Sequence, residues 1–86
     1  MKPDEAAQLM LGLLTSRGYL DQEVAAFELV KRDKSLVYYN DAGNLALSRA
    51  VLNAFRKLLP DNVVWSRGER HWRFRQPYDR AGRLQD

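Results

Sequence analysis

VVWSRGERHWRFR, at residues 63–75, has the pattern of a β-hairpin. β-Branched and aromatic residues lie on both sides of a polar segment at residues 66–69. Gly68 lies in this segment and tolerates the positive φ that tight turns require. The stretch therefore predicts two antiparallel strands joined by a short turn.

The register of this hairpin decides which side chains are buried. A two-residue loop of Arg67 and Gly68 pairs Trp65 with Arg70 and Val63 with Trp72. One face then holds Val63, Trp65, Trp72 and Phe74, and the other holds Val64, His71, Arg73 and Arg75. A three-residue loop would place Trp65 among the arginines. Because each indole removes about 150–250 Å² from water, we prefer the register that buries both.

Two helices are predicted in the N-terminal half. The first spans residues 3–16, ends at Gly18, and has an apolar stripe of Ala6, Leu9, Met10, Leu13 and Leu14. The second spans about residues 22–33, with Asp21 as its N-cap. Its expected buried face is Val24, Phe27 and Val30. The connection at residues 18–20 is short, so the two helices must pack on each other.

Residues 36–47 have the composition of a short strand pair. Residues 36–39 read LVYY, residues 40–44 have turn chemistry, and residues 45–47 return as a second strand. Ser48 is then the predicted N-cap of a third helix at residues 49–59, which Pro60 ends. A start at Asn44 is the alternative for this helix.

The third helix has two distinct faces. Val51, Phe55 and Leu58 recur at helical spacing and predict the buried face. The outward stripe carries no acidic residue and consists of Arg49, Asn53, Arg56 and Lys57. A solvated helix normally mixes its charges, so this stripe is a candidate binding surface.

Length and composition indicate one small globular domain. The chain has 86 residues, 45% of them hydrophobic, and its net charge is +3. Residues 1–43 hold five basic and seven acidic side chains, whereas residues 44–86 hold nine and four. The C-terminal half thus carries a net charge of +5, and eight of its nine cations are arginine. Such a surface favours an acidic partner, and nucleic acid is the first of these to consider.

Several function classes are excluded or disfavoured by residue content. The chain has no cysteine and a single histidine, which excludes disulfides, Cys-based zinc sites and thiol nucleophiles. No apolar run approaches the ~20 residues of a membrane span, and the first residues do not resemble a signal peptide. We therefore expect a cytoplasmic binding protein, with no enzymatic activity, cofactor, metal, small-molecule ligand or membrane contact.

The order of elements predicts an α+β fold. Three helices followed by a Trp/Arg-rich hairpin is the order of a winged helix, with a short strand pair between helices two and three. Residues 36–47 are longer than the turn of a tight helix-turn-helix, so another α+β topology stays open. We expect one compact domain at residues 1–75 and a polar C-terminal tail at residues 76–86, which Tyr78 would hold against the domain.

The chain also resembles a known family in several short motifs. They are AFRKL at 54–58, VVWSRGER at 63–70, WR at 72–73, PYD at 77–79, GR at 82–83 and Gln85. The resemblance, over roughly residues 4–86, is to a family of small uncharacterised bacterial proteins, some of them carried as integron gene cassettes. It implies a compact single domain and transfers no activity or catalytic residue.

Two functions remain open from the residues themselves. In a DNA-binding module, the helical stripe would read bases and the hairpin wing would contact phosphates through Arg67, Arg70, Arg73 and Arg75. Against this, the stripe can be an ordinary solvated face, and the hairpin arginines can stack on Trp65 and Trp72. Alternatively, the tyrosines predict a protein-interaction or homodimer module, for instance through the strand at residues 36–39. These tyrosines are Tyr19, Tyr38, Tyr39 and Tyr78.

Overall fold

The fold is α+β, and the part of the chain that the structure describes forms three α-helices and two small sheets. The computed structural model describes residues 1–59 and 61–85, so the predicted role of Pro60 in ending a helix lies outside the described residues. The elements are α1 (Pro3–Arg17), β1 (Tyr19–Asp21), α2 (Gln22–Val30), β2 (Val37–Tyr39), β3 (Leu45–Leu47), α3 (Arg49–Leu58), β4 (Val63–Ser66), β5 (His71–Phe74) and β6 (Leu84–Gln85). A 3₁₀ turn at Lys34–Leu36 joins α2 to β2.

Helix α1 agrees with its prediction. Gly18 adopts φ 84°, and its N–H donates to the Leu14 carbonyl at 2.7 Å, which ends the helix in a left-handed C-cap. At the other end, Lys2 supplies no side-chain cap, and the Glu5 carboxylate accepts the Lys2 N–H at 2.9 Å instead. A carboxylate at this end also complements the helix dipole.

Helix α2 differs from its prediction in length and in rotation. It ends at Val30 rather than residue 33, because Asp33 turns away and accepts the N–H and hydroxyl of Ser35. The predicted buried face is wrong at Phe27, which is 58% exposed. Val24 is half-buried against the core, and the fully buried residues are Ala25, Ala26 and Leu29. The helix starts directly where β1 ends, so the strand pairing sets its rotation more strongly than side-chain hydrophobicity does.

The larger sheet has the strand order β1-β5-β4-β6. Residues 18–20 were predicted as a plain connection, but Tyr19–Asp21 forms an edge strand that pairs antiparallel with β5. The hairpin itself is confirmed, with a different register. Trp65 lies opposite Trp72 and Val63 opposite Phe74, which leaves a four-residue loop at residues 67–70.

The longer loop moves the pairing by two residues, so the predicted faces are retained. Trp72 is buried, Trp65 is half-buried, and their rings lie 4.7 Å apart. The positive φ of this loop, 55°, occurs at Arg70 and not at Gly68. The pairing of Trp65 with Arg70 and the two-residue loop are therefore wrong, whereas the inward orientation of the Trp72 face is correct.

The predicted strand pair between α2 and α3 is present. β2 and β3 pair antiparallel, with Tyr38 opposite Ala46. The Asn40 side chain accepts the N–H groups of Ala42 and Asn44, and Gly43 adopts φ 81°. This is the Asx-type turn expected from the residue types.

Helix α3 begins where Ser48 predicts. The Ser48 hydroxyl accepts the Val51 N–H at 3.4 Å, and residues 45–47 are strand, so the alternative start at Asn44 is wrong. Phe55 is fully buried and meets Trp72 edge-on, with the rings 4.9 Å apart and inclined at 82°. This contact fixes α3 on the Trp72 face of the larger sheet.

Residues 76–85 pack against the sheet and do not extend away as a polar tail. β6 pairs in parallel with β4, and Gln85 is buried. The Arg83 carbonyl accepts the Trp65 N–H at 2.7 Å, and the Gln85 carbonyl accepts the Arg67 N–H at 2.8 Å. The segment thus covers the outer edge of β4, which would otherwise expose unpaired backbone groups.

Candidate nucleic-acid interface

The polar stripe predicted on α3 is on the surface. Arg49, Asn53, Arg56 and Lys57 are all exposed, because the opposite face of the helix is anchored by Phe55 and Val51. Among residues 1–59 and 61–85, the side chains of Arg49, Arg56 and Lys57 form no ion pair and no hydrogen bond. The stripe therefore presents three cations whose donors are available to a ligand.

A groove runs between α3 and β2. Its volume is about 400 Å³, and its lining residues are Tyr38, Leu47, Arg49, Leu52, Asn53 and Arg56. Tyr38, predicted only as part of an interaction surface, lines this groove as well, which residue spacing cannot show because it depends on the distance between β2 and α3. The groove lining includes two guanidinium groups and no carboxylate.

The hairpin loop contributes two further exposed arginines, Arg67 and Arg70. Neither forms an ion pair within the described ranges. Their surroundings differ, however. Arg70 lines a groove of about 310 Å³ together with the carboxylates Asp21, Glu23 and Glu69, and its carbonyl accepts the Gln22 N–H at 3.2 Å. Arg67 is therefore the better placed of the two to attract an anion.

Arg73 and Arg75 are engaged by the chain itself. Arg73 donates both ends of its guanidinium to Asp79, at 2.7 and 2.8 Å, and lies over the Tyr78 ring at 5.9 Å. The side chain of Asp79 is 3% exposed and that of Arg73 is 20% exposed. Arg75 donates to the carbonyls of Arg80 and Gly82. The two arginines thus hold the C-terminal segment, whereas Tyr78, the residue predicted to hold it, is exposed.

This pairing changes the ionisation of Asp79. The hydrogen bonds from Arg73 lower the pKa of Asp79 to about 2, with a further contribution from the Gln76 N–H. The same carboxylate raises the pKa of Arg73. Both groups are therefore charged at neutral pH, and the pair is a bidentate, charge-assisted contact of the strong type.

The polar stripe on α3 and the outward-facing residues of β5 do not form one surface. Phe55 contacts Trp72, so α3 lies on the Trp72 face of the sheet. Successive strand residues point to opposite faces, so His71 and Arg73 project from the other side. The stripe on α3 and Arg73 consequently face different directions. The stacking of arginines on Trp65 and Trp72 is also absent among the described residues, where the cation–π pairs are Lys31–Phe27 and Arg73–Tyr78.

Two carboxylates lie beside the His71 ring, and among the described residues only the one at Nδ1 forms a hydrogen bond with it. Its Nδ1 lies 3.3 Å from Asp21 Oδ1, and its Nε2 lies 3.1 Å from Glu69 Oε2. Asp21 reaches His71 because β1 pairs with β5 in that register. It occupies the predicted N-cap position of α2, but its side chain accepts no backbone N–H there. The two carboxylates lie at opposite ends of the imidazole. No group of His, Asp or Glu side chains in the described part of the chain is arranged to hold a metal ion.

The comparisons with known proteins identify the family. The model of a family of unknown function, DUF6953, matches residues 2–74. The chain belongs to this DUF6953 family. No curated protein and no solved structure matches the chain. The matched region of DUF6953 ends before the segment that Arg73 and Arg75 hold.

None of the described helices is both long and apolar enough to cross a membrane.

Proposed function

We propose that this DUF6953 protein is a winged-helix-like DNA-binding module that contacts duplex DNA through α3 and the hairpin loop. The observation that carries the proposal is the exposed face of α3. It presents Arg49, Arg56 and Lys57 without an acidic neighbour on the helix and without an ion pair within the described residues. Unpaired surface cations attract the phosphate backbone, which supplies most of the affinity of non-specific binding.

The topology supports this assignment. β1, which precedes α2, pairs with β5 of the hairpin. Phe55 of α3 packs on Trp72 of the same strand, so α3 and the hairpin belong to one sheet-backed unit. Helix α3 has 10 residues, a length of about 15 Å. A helix of this size fits a major groove about 12 Å wide.

Each exposed polar residue has a role in this proposal. Arg49 and Arg56 can pair with phosphates in the bidentate geometry of arginine, Asn53 can pair with adenine, and Lys57 neutralises a further phosphate. Arg67 contacts the backbone from the loop, whereas Arg70 lies among the carboxylates of Asp21, Glu23 and Glu69. Arg73 and Arg75, which were predicted to contact the DNA backbone, have a supporting role instead, because both hold the segment that pairs with β4.

The salt dependence of DNA binding tests the proposal. Contacts from Arg49, Arg56, Lys57 and Arg67 correspond to about four phosphates, so log K should fall against log salt with a slope near −3.6. Arg56→Gln should weaken binding to every duplex and lower the slope by about 0.9. Lys31→Gln is the control, because Lys31 is an exposed cation at the C-cap of α2, where it pairs with Glu28, and does not belong to α3 or the hairpin loop. Absence of binding at low salt, or equal losses in both variants, would refute the proposal.

A second candidate function, a homodimer, is favoured by the free edge of β2. Within the described residues the smaller sheet consists of β2 and β3, and Tyr38 and Tyr39 on β2 are 54% and 73% exposed. We propose that two copies can pair antiparallel through these edges, with the tyrosines at the centre of the interface. Light scattering tests this directly. A particle of 10.0 kDa at high concentration contradicts the dimer, whereas a dimer that Tyr39→Lys dissociates supports it.

A further inference from the structure

The groove between β2 and α3 is lined by several polar side chains without partners among the described residues, which a helix that reads duplex DNA does not require. Four polar side chains line it, namely Tyr38, Arg49, Asn53 and Arg56. None of the four has a side-chain hydrogen bond or ion pair to any residue among 1–59 and 61–85. The groove that contains Arg73 and His71 differs, because Arg73 is paired with Asp79 and His71 lies between the carboxylates of Asp21 and Glu69.

The chemical types in this groove are complementary to a nucleotide. Tyr38 offers an aromatic ring, and 54% of the residue is exposed to solvent. Leu47 and Leu52 supply an apolar floor, and the two guanidinium groups supply positive charge. A base stacks on an aromatic ring, while phosphates pair with arginine in a bidentate geometry.

The spacing along α3 is compatible with one nucleotide and its flanking phosphates. Arg49 and Arg56 are seven residues apart, which places their backbone atoms about 10.5 Å apart along the helix axis and close to one face. Asn53 lies between them on that face and can hydrogen-bond the edge of a base. Tyr38 approaches the same groove from β2, so a base lying over its ring is bordered by both arginines.

We propose that this groove binds one unpaired nucleotide of a nucleic acid, with the base stacked on Tyr38, the flanking phosphates on Arg49 and Arg56, and the base edge on Asn53. This inference rests on the proposed function, because it uses the same face of α3. It adds a preference for a base that is already outside the stack, since a base paired within a duplex cannot lie against Tyr38 without being flipped out.

The test compares two fluorescein-labelled duplexes of identical sequence, one fully paired and one with a single unpaired nucleotide at its centre. Fluorescence anisotropy measures both affinities at the same salt concentration. We expect the wild type to bind the duplex with the unpaired nucleotide more tightly. Tyr38→Ala should weaken binding to that duplex by about 5- to 150-fold and leave binding to the paired duplex unchanged.

Two substitutions on the same strand serve as controls. Tyr39→Ala removes a neighbouring, more exposed tyrosine that does not line the groove, and it should retain the preference. Tyr38→Phe keeps the ring and should also retain it. Should Tyr38→Ala not fold, Tyr38→Ile keeps the β-propensity of the strand and removes only the aromatic surface.

The outcomes separate this inference from the proposed function. Equal affinity of the wild type for both duplexes, or a preference that survives Tyr38→Ala or Tyr38→Ile, overturns the inference and leaves the DNA-binding proposal standing. A preference that Tyr39→Ala removes to the same extent overturns it as well. Failure of the wild type to bind either duplex at low salt overturns the proposed function together with the inference.

Discussion

The contact between Phe55 and Trp72 determines which way the polar stripe of α3 faces, so weakening it should destabilise the fold measurably. Phe55 is fully buried and lies edge-on to the indole at 4.9 Å. Truncating a buried Phe to Ala costs about 3–5 kcal/mol. A domain of 86 residues has a total stability of about 4–13 kcal/mol. Phe55→Ala would therefore leave little or no folded protein in the least stable case.

Phe55→Leu is the more informative substitution because it keeps most of the side-chain volume. It removes the edge-to-face contribution of about 0.5–1.5 kcal/mol and leaves a small cavity. We expect the free energy of unfolding to fall by about 1–3 kcal/mol. Urea titration followed by far-ultraviolet circular dichroism measures this loss without relying on tryptophan fluorescence.

A double-mutant cycle isolates the ring contact itself. Phe55→Leu and Trp72→Leu, singly and together, should show a coupling energy of about 0.5–1.5 kcal/mol. Tyr78 is 79% exposed and is not in ring contact with Phe55, so Phe55→Leu combined with Tyr78→Leu should be additive within about 0.5 kcal/mol. A Phe55–Trp72 coupling no larger than that of this control pair would refute the reasoning.

Three further predictions concern the C-terminal segment, helix α2 and the start of α3. The pKa of Asp79 is lowered to about 2 from 3.8, so its contribution to holding residues 76–85 is present above about pH 4 and is lost as the pH falls towards 2. Amide hydrogen exchange should show this loss, and Asp79→Asn should show fast exchange in the segment already at neutral pH. In α2, Leu29→Ala should lower the free energy of unfolding by about 2–5 kcal/mol, whereas Phe27→Ala should change it by less than about 1 kcal/mol. Equal costs in urea titration would contradict the observed rotation of α2. Ser48→Ala should cost about 1 kcal/mol by the same measurement, because the Val51 N–H loses its acceptor.

Local patterns predicted most elements where the information lies within a few residues. Gly18 and Ser48 mark helix boundaries through their own backbone preferences, and both act as predicted. The inward face of the hairpin was also correct, although its loop is two residues longer. A shift of two residues preserves the side-chain alternation, so hydrophobicity alone selects the face but leaves the loop length undetermined.

Long-range pairing explains where the sequence predictions were wrong. Tyr19–Asp21 is too short to show an alternating pattern, and its partner strand β5 lies about fifty residues further along the chain. That pairing draws Asp21 to His71 and sets the rotation of α2, which exposes Phe27. In the same way, the attachment of residues 76–85 depends on Arg73 meeting Asp79 across the outer face of the sheet.

In the candidate site, too, local sequence patterns predict one part and tertiary packing decides the other. The periodicity of α3 alone predicts that Arg49, Asn53, Arg56 and Lys57 share a polar face, because helical spacing is a local property. Residue types along the chain likewise determine the α+β class and the positive charge of the C-terminal half. Only the packed structure decides which arginines remain available to a ligand, since this depends on which carboxylates and carbonyls lie near them. It also decides that Tyr38 lies beside α3, because the distance between two elements is set by the core that both cover.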